Sequence, residues 1–154
     1  MRVLIPLLRL TVLFGSCTRP SLVTNQREAW RKVAPRSYEF DFSWHCFCAG
    51  AGAWWHVIVE NDRVISASLI DPFAVPKGGP TPPPGGFPTI DSVFAEIDRA
   101  RATKAASVVV TYDQELHYPL SVAIDRERDT IDDEWAMQIR NFRVRPGSAE
   151  SRPG

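Results

Sequence analysis

Cys46-Phe47-Cys48 is the pair in this chain with the widest chemical range. In an extended strand residues i and i+2 lie about 6.6 Å apart, near the upper Cα separation of about 6.8 Å that a disulfide spans. Closing the bridge therefore needs a kink at Phe47. Three readings stay open: a structural disulfide, two buried thiols, and a redox-active pair. The last needs exposure and a stabilised thiolate, yet the neighbours are aromatic and no lysine is adjacent. His45, Cys46, Cys48 and His56 are the right types for zinc. Strand alternation, however, sends His45 to the face opposite the cysteines, so no metal site is expected.

Asp125, Glu127, Asp129, Asp132, Asp133 and Glu134 form an acidic run. Their spacing departs from a calcium loop and Arg126 and Arg128 interleave, so a solvated hairpin turn is the better account. G-x-S-x-G is absent, and His117-Tyr118-Pro119 sits in a turn without an evident nucleophile. Gly50-Ala51-Gly52 is too short for a phosphate-binding fingerprint. No catalytic residues, no cofactor and no enzymatic activity are expected. Trp54-Trp55 is the remaining candidate. Alternation buries only one of two adjacent tryptophans, and the other is a possible contact for a partner or ligand.

Cys17 closes an export-like leader, MRVLIPLLRLTVLFGSC. Arg2 is its positive start, and Val3 to Phe14 is mostly apolar, too short to span a bilayer core of about 30 Å at 1.5 Å per residue. Gly15 and Ser16 are small residues before the cysteine, so residues 1–17 resemble a bacterial lipoprotein signal, with Cys17 as the lipidation site. Diacylation plus N-acylation would supply the two or more chains that stable anchoring takes. The whole chain carries 18 basic and 18 acidic residues; without residues 1–17, which include Arg2 and Arg9 and no acid, 16 stand against 18, or −2. That balance gives no footprint for nucleic acid.

The elements that would position these residues come after the leader. Residues 18–23 read as a tether. Asn25 and Glu28 have the spacing of a capping box, which sets a first helix at about 24–33, ended by Pro35. Tyr38 to Cys48 has one apolar parity (Tyr38, Phe40, Phe42, Trp44, Cys46, Cys48) and one wet parity (Glu39, Asp41, Ser43, His45). Alternation of this kind is a half-buried strand. Strands over 54–60 and 64–70 come next, joined by a tight turn at Asn61-Asp62-Arg63. The segment 71–88 holds seven prolines and four glycines and reads as an exposed loop. Thr89 caps a second helix whose Ile90, Val93, Phe94 and Ile97 make one apolar stripe. Strands over 107–112, 119–125 and 134–144 close the domain. In the last of these, Trp135, Met137 and Ile139 share a parity opposite to that of Phe142 and Val144, so a bulge near Asn141 is expected. Residues 145–154 read as a disordered tail.

The order is helix, three strands, loop, helix, three strands: two αβββ units forming a single α+β domain over 24–144. The expected architecture is a two-layer sandwich, with an antiparallel sheet of about six strands and two helices. Two such units are similar to the β-lactamase-inhibitor-like and PepSY-like domains of exported bacterial proteins.

The lipobox-like cysteine, YEFDFSWHCFC, IDSVFAEI and VVTYDQELHYPLSVAIDRERDTIDDEWAMQIRNFR together resemble a family of bacterial lipoproteins of unknown function. The family pattern is an aromatic strand ending in C-x-C, a helix opening with Ile-Asp, and a Y-D…Y-P…I-D hairpin before D-D-E. The resemblance covers about residues 25–143. His117 departs from it, standing where glycine is more typical. No reaction comes with the resemblance. It implies an exported, membrane-anchored lipoprotein, with the outer membrane favoured by Thr18 if the cell has two membranes. The expected role is non-enzymatic binding of an envelope protein or small molecule. The alternatives are an envelope thiol-redox protein using Cys46 and Cys48, and a small-molecule-binding module with a pocket between the second helix and the sheet.

Overall fold

In the computed structural model, residues 22–46, 51–70, 83–128 and 134–146 are described. The leader with Cys17, the Cys48 sulfur, residues 71–82 of the proline-rich loop, residues 129–133 of the acidic run, and 147–154 of the tail lie outside them. The elements are α1 (Leu22–Val33), β1 (Ser37–His45), β2 (Trp55–Glu60), β3 (Arg63–Leu69), a single 3₁₀ turn (Pro84–Gly86), α2 (Ile90–Ala102), β4 (Ser107–Tyr112), β5 (Pro119–Asp125) and β6 (Glu134–Val144). All six strands join one antiparallel sheet in the order β3-β2-β1-β6-β5-β4. The chain is thus the α+β arrangement of two helices and a six-stranded sheet that its sequence implies. The first unit meets the second through β1 against β6, which leaves β3 and β4 as edges.

The alternation of β1 decides which face is core. Tyr38, Phe40 and Phe42 are at most 3% exposed and follow one another along the strand, Tyr38 stacked on Phe40 and Phe40 edge-on to Phe42. Trp55, Val57 and Val59 of β2, Val122 and Ile124 of β5, and Met137 and Ile139 of β6 continue the same face. Burying these rings is the main stabilising term, at about 25 cal/mol per Å² of apolar surface. Asn141 has φ +53, and the register of β1 on β6 shifts between Glu39 and Asp41. That bulge inserts one residue and carries Phe142 onto the core face, where it stacks on Tyr38 at 5.3 Å and Tyr118 at 4.6 Å.

Both helices lie on this face. α2 presents Ile90, Val93, Phe94, Ile97 and Ala100, all buried. Thr89 Oγ1 accepts from Ser92 N at 3.2 Å, the N-cap bond expected of a β-region threonine. Tyr38 Oη accepts from Ile90 N at 3.2 Å, tying the start of α2 to the start of β1. α1 docks through Trp30, fully buried and edge-on to Tyr38 and Phe142. Its Nε1 donates to Asp91 of α2 at 3.2 Å, and Arg27 pairs with Asp98.

Three departures from the sequence reading bear on the site. α1 begins at Leu22, so the tether ends sooner and Asn25 and Glu28 are exposed positions inside the helix, not a cap. An i, i+3 polar pair marks a wet helix face as readily as an N-terminus. β1 stops at His45, which puts Cys46 just beyond the ladder. Phe87, read as part of an exposed loop, is 5% exposed and packs on Trp55 and Trp44 at 5.1 and 5.3 Å. An isolated aromatic among prolines carries no periodicity to reveal its burial.

The tight turn after β2 has φ +48 at Asn61 and +61 at Asp62, the two left-handed residues of a type I′ hairpin. His117 has φ +66, so the turn keeps its left-handed residue although no glycine stands there.

Candidate functional site

The helix layer does not cover the β1 end of the core face. There Trp44 extends the ring row of β1, 5.2 Å from Phe42. It also stacks on Trp55 at 6.4 Å. Trp135 of β6 lies on the same face, because Ile124 pairs with Trp135 in the register that sets Val122 against Met137. Phe87 and Pro88 close one side. Ser92, Val93 and Ala95 of α2 close the other. Together they enclose a groove of about 630 Å³ between α2 and the sheet, within the range of roughly 300–1,000 Å³ usual for small-molecule sites.

Cys46 lines this groove, half-buried at the end of β1. The Gly52 N–H donates to the Trp44 carbonyl at 2.8 Å. Gly52 has φ +79, a conformation in which a side chain is strained.

Among the described lining residues, the charges stand on one side of the groove. Glu96 receives Arg126 Nη2 at 2.7 Å on Oε1 and Arg99 on Oε2. Glu96 is mostly covered, whereas Arg99 and Arg126 are largely exposed. Arg99 sits in the last turn of α2, where a cation complements the helix dipole.

The opposite face of the sheet holds a second cluster. Asp41 and His56 are directly opposite in the β1–β2 register. His56 Nδ1–H donates to Asp41 Oδ1 at 3.1 Å, and Asn141 Nδ2 donates to Oδ2 at 2.6 Å. Arg140 Nε lies 3.6 Å from Oδ2. Asp41 is only 8% exposed, a buried carboxylate made tolerable by these donors. Glu39 and Glu60 share Arg145, at 3.5 and 3.3 Å. Ser43, two residues along, is fully buried and its Oγ has no hydrogen-bond partner, so it is not held by a base.

The residues singled out from the sequence fall in different places. Trp55 is inward and 1% exposed. Trp54 is on the opposite face, half-exposed, with the Arg140 guanidinium 3.7 Å above its ring. That cation–π contact occupies one face of the ring. His45 is exposed, and His56 is engaged by Asp41 rather than grouped with Cys46. Among the described residues no three His, Cys, Asp or Glu side chains are grouped to hold a metal. Sequence reasoning missed the groove-lining Phe87, Glu96, Arg126 and Trp135, and also Asp41. Only Asp41 leaves a trace in the sequence, as a charge in the middle of a central strand.

A family model matches residues 22–144, that of a family of unknown function (DUF6174). No curated protein and no solved structure matches the chain.

Proposed function

We propose that this chain, which belongs to DUF6174, is a lipid-anchored, non-enzymatic cell-envelope domain that binds a small molecule by its apolar body in the groove between α2 and the sheet. The groove is the observation that carries this reading. It is concave, and its floor is built from Phe42, Trp44 and Trp135. Side chains of this kind give a large contact area at low conformational cost. The anchor rests on the leader: a positive start, an apolar stretch too short to span, and Cys17 after Gly15-Ser16.

The test uses N-phenylnaphthylamine, a neutral probe that fluoresces in apolar surroundings, with the full chain carrying Cys17→Ala so that no acyl chain adds a site. Saturable one-site binding is expected, and Ala95→Trp, which fills the groove from α2, abolishes it without changing the far-ultraviolet circular dichroism. Absence of saturable binding, or equal binding by Ala95→Trp, overturns the reading. For the anchor, Cys17→Ala moves the protein from the membrane fraction to the soluble one; an unchanged distribution sinks it.

A second reading draws on the position of Cys46 in the groove wall. Cys46 would bond to Cys48, and the pair would act as an envelope thiol-redox centre or as a pin on the strand end. Support for a bond comes from the end of β1 at His45, which leaves Cys46 outside the extended ladder whose spacing resists closure. Thiol counting after mild reductant separates the two roles: a bridge that resists reduction is a pin and not a redox centre.

A further inference from the structure

Resting on the groove reading above, we infer that the ligand is a planar aromatic anion, an aromatic carboxylate, rather than a neutral or acyl-chain molecule. The first argument is charge. Among the described residues, the charged side chains that line the groove are Glu96, Arg99 and Arg126, two cations to one anion. Both oxygens of Glu96 are already taken, Oε1 by Arg126 and Oε2 by Arg99. The shared carboxylate holds the two guanidiniums side by side on one rim. Each guanidinium has five N–H donors in a planar fork, and each gives one of them to Glu96. Donors are therefore left on both arginines for a second carboxylate, which is the group that guanidinium forks match in geometry.

The second argument is the floor. Trp44 and Trp135 are half-exposed ring systems on either side of the β1–β6 pair. A flat ring laid on them buries one face while the other stays wet, which suits an open groove. An acyl chain has no such preferred face and loses contact along its exposed side. Ring-on-ring packing adds to simple area burial by offset or edge-on geometry.

Displacement of N-phenylnaphthylamine from the full Cys17→Ala chain by 2-naphthoate, 2-naphthalenemethanol and decanoate tests the class. Naphthoate should displace the probe at about tenfold lower concentration than the alcohol, the factor expected of one charge-assisted hydrogen-bonded pair. In Arg99→Gln/Arg126→Gln that preference falls to near parity, and Arg99→Lys/Arg126→Lys restores part of it. Equal displacement by the alcohol, tighter displacement by decanoate, or a preference that survives the Gln pair overturns the ligand class while the groove reading stands. If the probe itself does not bind, the groove reading fails first.

Discussion

Alkaline pH should find the three tyrosines, Tyr38, Tyr112 and Tyr118, still protonated above the range near pH 10 where an exposed phenol ionises. All three phenols are pushed up, chiefly by burial. Tyr38 is 3% exposed, between Phe142 at 5.3 Å and Phe40 at 6.0 Å. The Ile90 N–H that its oxygen accepts opposes the shift, but Asp62 and Asp91 reinforce it. Tyr118, stacked on Phe142, is pushed up to about 12 by burial and by Asp113. Tyr112 is also raised by burial, with Arg101 opposing and Asp98 adding. A folded-state value above the unfolded one stabilises the fold below the unfolded value and ceases to do so as pH climbs through the folded one. The loss therefore begins near pH 10 and runs through pH 12. At pH 11 an exposed phenol is about 90% ionised and one titrating near 12 about 10%. Tyrosinate absorbance followed from pH 8 to 13, in buffer and in denaturant, should show the native curve displaced upward and steepened where ionisation and unfolding coincide. Three tyrosines titrating near pH 10 with far-ultraviolet circular dichroism unchanged would refute the buried aromatic core.

Trp30→Ala should cost about 3–5 kcal/mol, the range for a large aromatic lost from a core, because the ring contacts Tyr38 and Phe142 and holds Asp91; urea unfolding measures it, and a loss below about 1 kcal/mol would mean α1 is not docked. At His117, with φ +66, Gly should be more stable than Ala by roughly 1 kcal/mol, since only glycine enters that region without strain. Both variants lose the bond from His117 Nδ1 to Gln26 Oε1 at 3.0 Å, so their difference in urea midpoint isolates the backbone effect. Phe87→Ala should lower both stability and N-phenylnaphthylamine affinity, because its ring touches the buried Trp55 and the groove residue Trp44. A stability loss without an affinity loss would separate the loop from the groove. Cys48→Ser should destabilise by no more than roughly 1.5 kcal/mol, since so short a loop constrains the unfolded chain little; calorimetry checks it.

The sheet is legible in the sequence because period-2 burial repeats over whole strands. A one-residue slip in β1 would put Tyr38, Phe40 and Phe42 in water and Glu39 and Asp41 in the core, so its register is strongly specified. Even the bulge at Asn141 is readable, since the parity change between Ile139 and Phe142 has no other simple account. The α1 start is less legible, because Asn25 and Glu28 satisfy a capping pattern and a surface pattern equally. The groove is the least legible. Its parts come from β1, β6, α2, the residues after the 3₁₀ turn and the β5 end, and Arg126 meets Glu96 across 30 positions. No local period encodes a contact of that length; it appears only once β5 and β6 are laid beside β1.

The two charged clusters argue for different roles by the same accounting. On the open face Asp41 has donors from His56 and Asn141 and a nearby Arg140, and Glu39 and Glu60 share Arg145. Three acids face two arginines and a histidine, and the most buried carboxylate has the most donors. Such a network is closed: removing a member leaves a buried group without a partner, and adding a ligand would require displacing one. At the groove a single carboxylate is divided between two arginines, and an aromatic floor lies beside them. An added anion there completes an arrangement instead of breaking one. The electrostatics thus assigns the Asp41 cluster to holding β1, β2 and β6 in register, and makes the Glu96 rim the place where the proposed ligand would add.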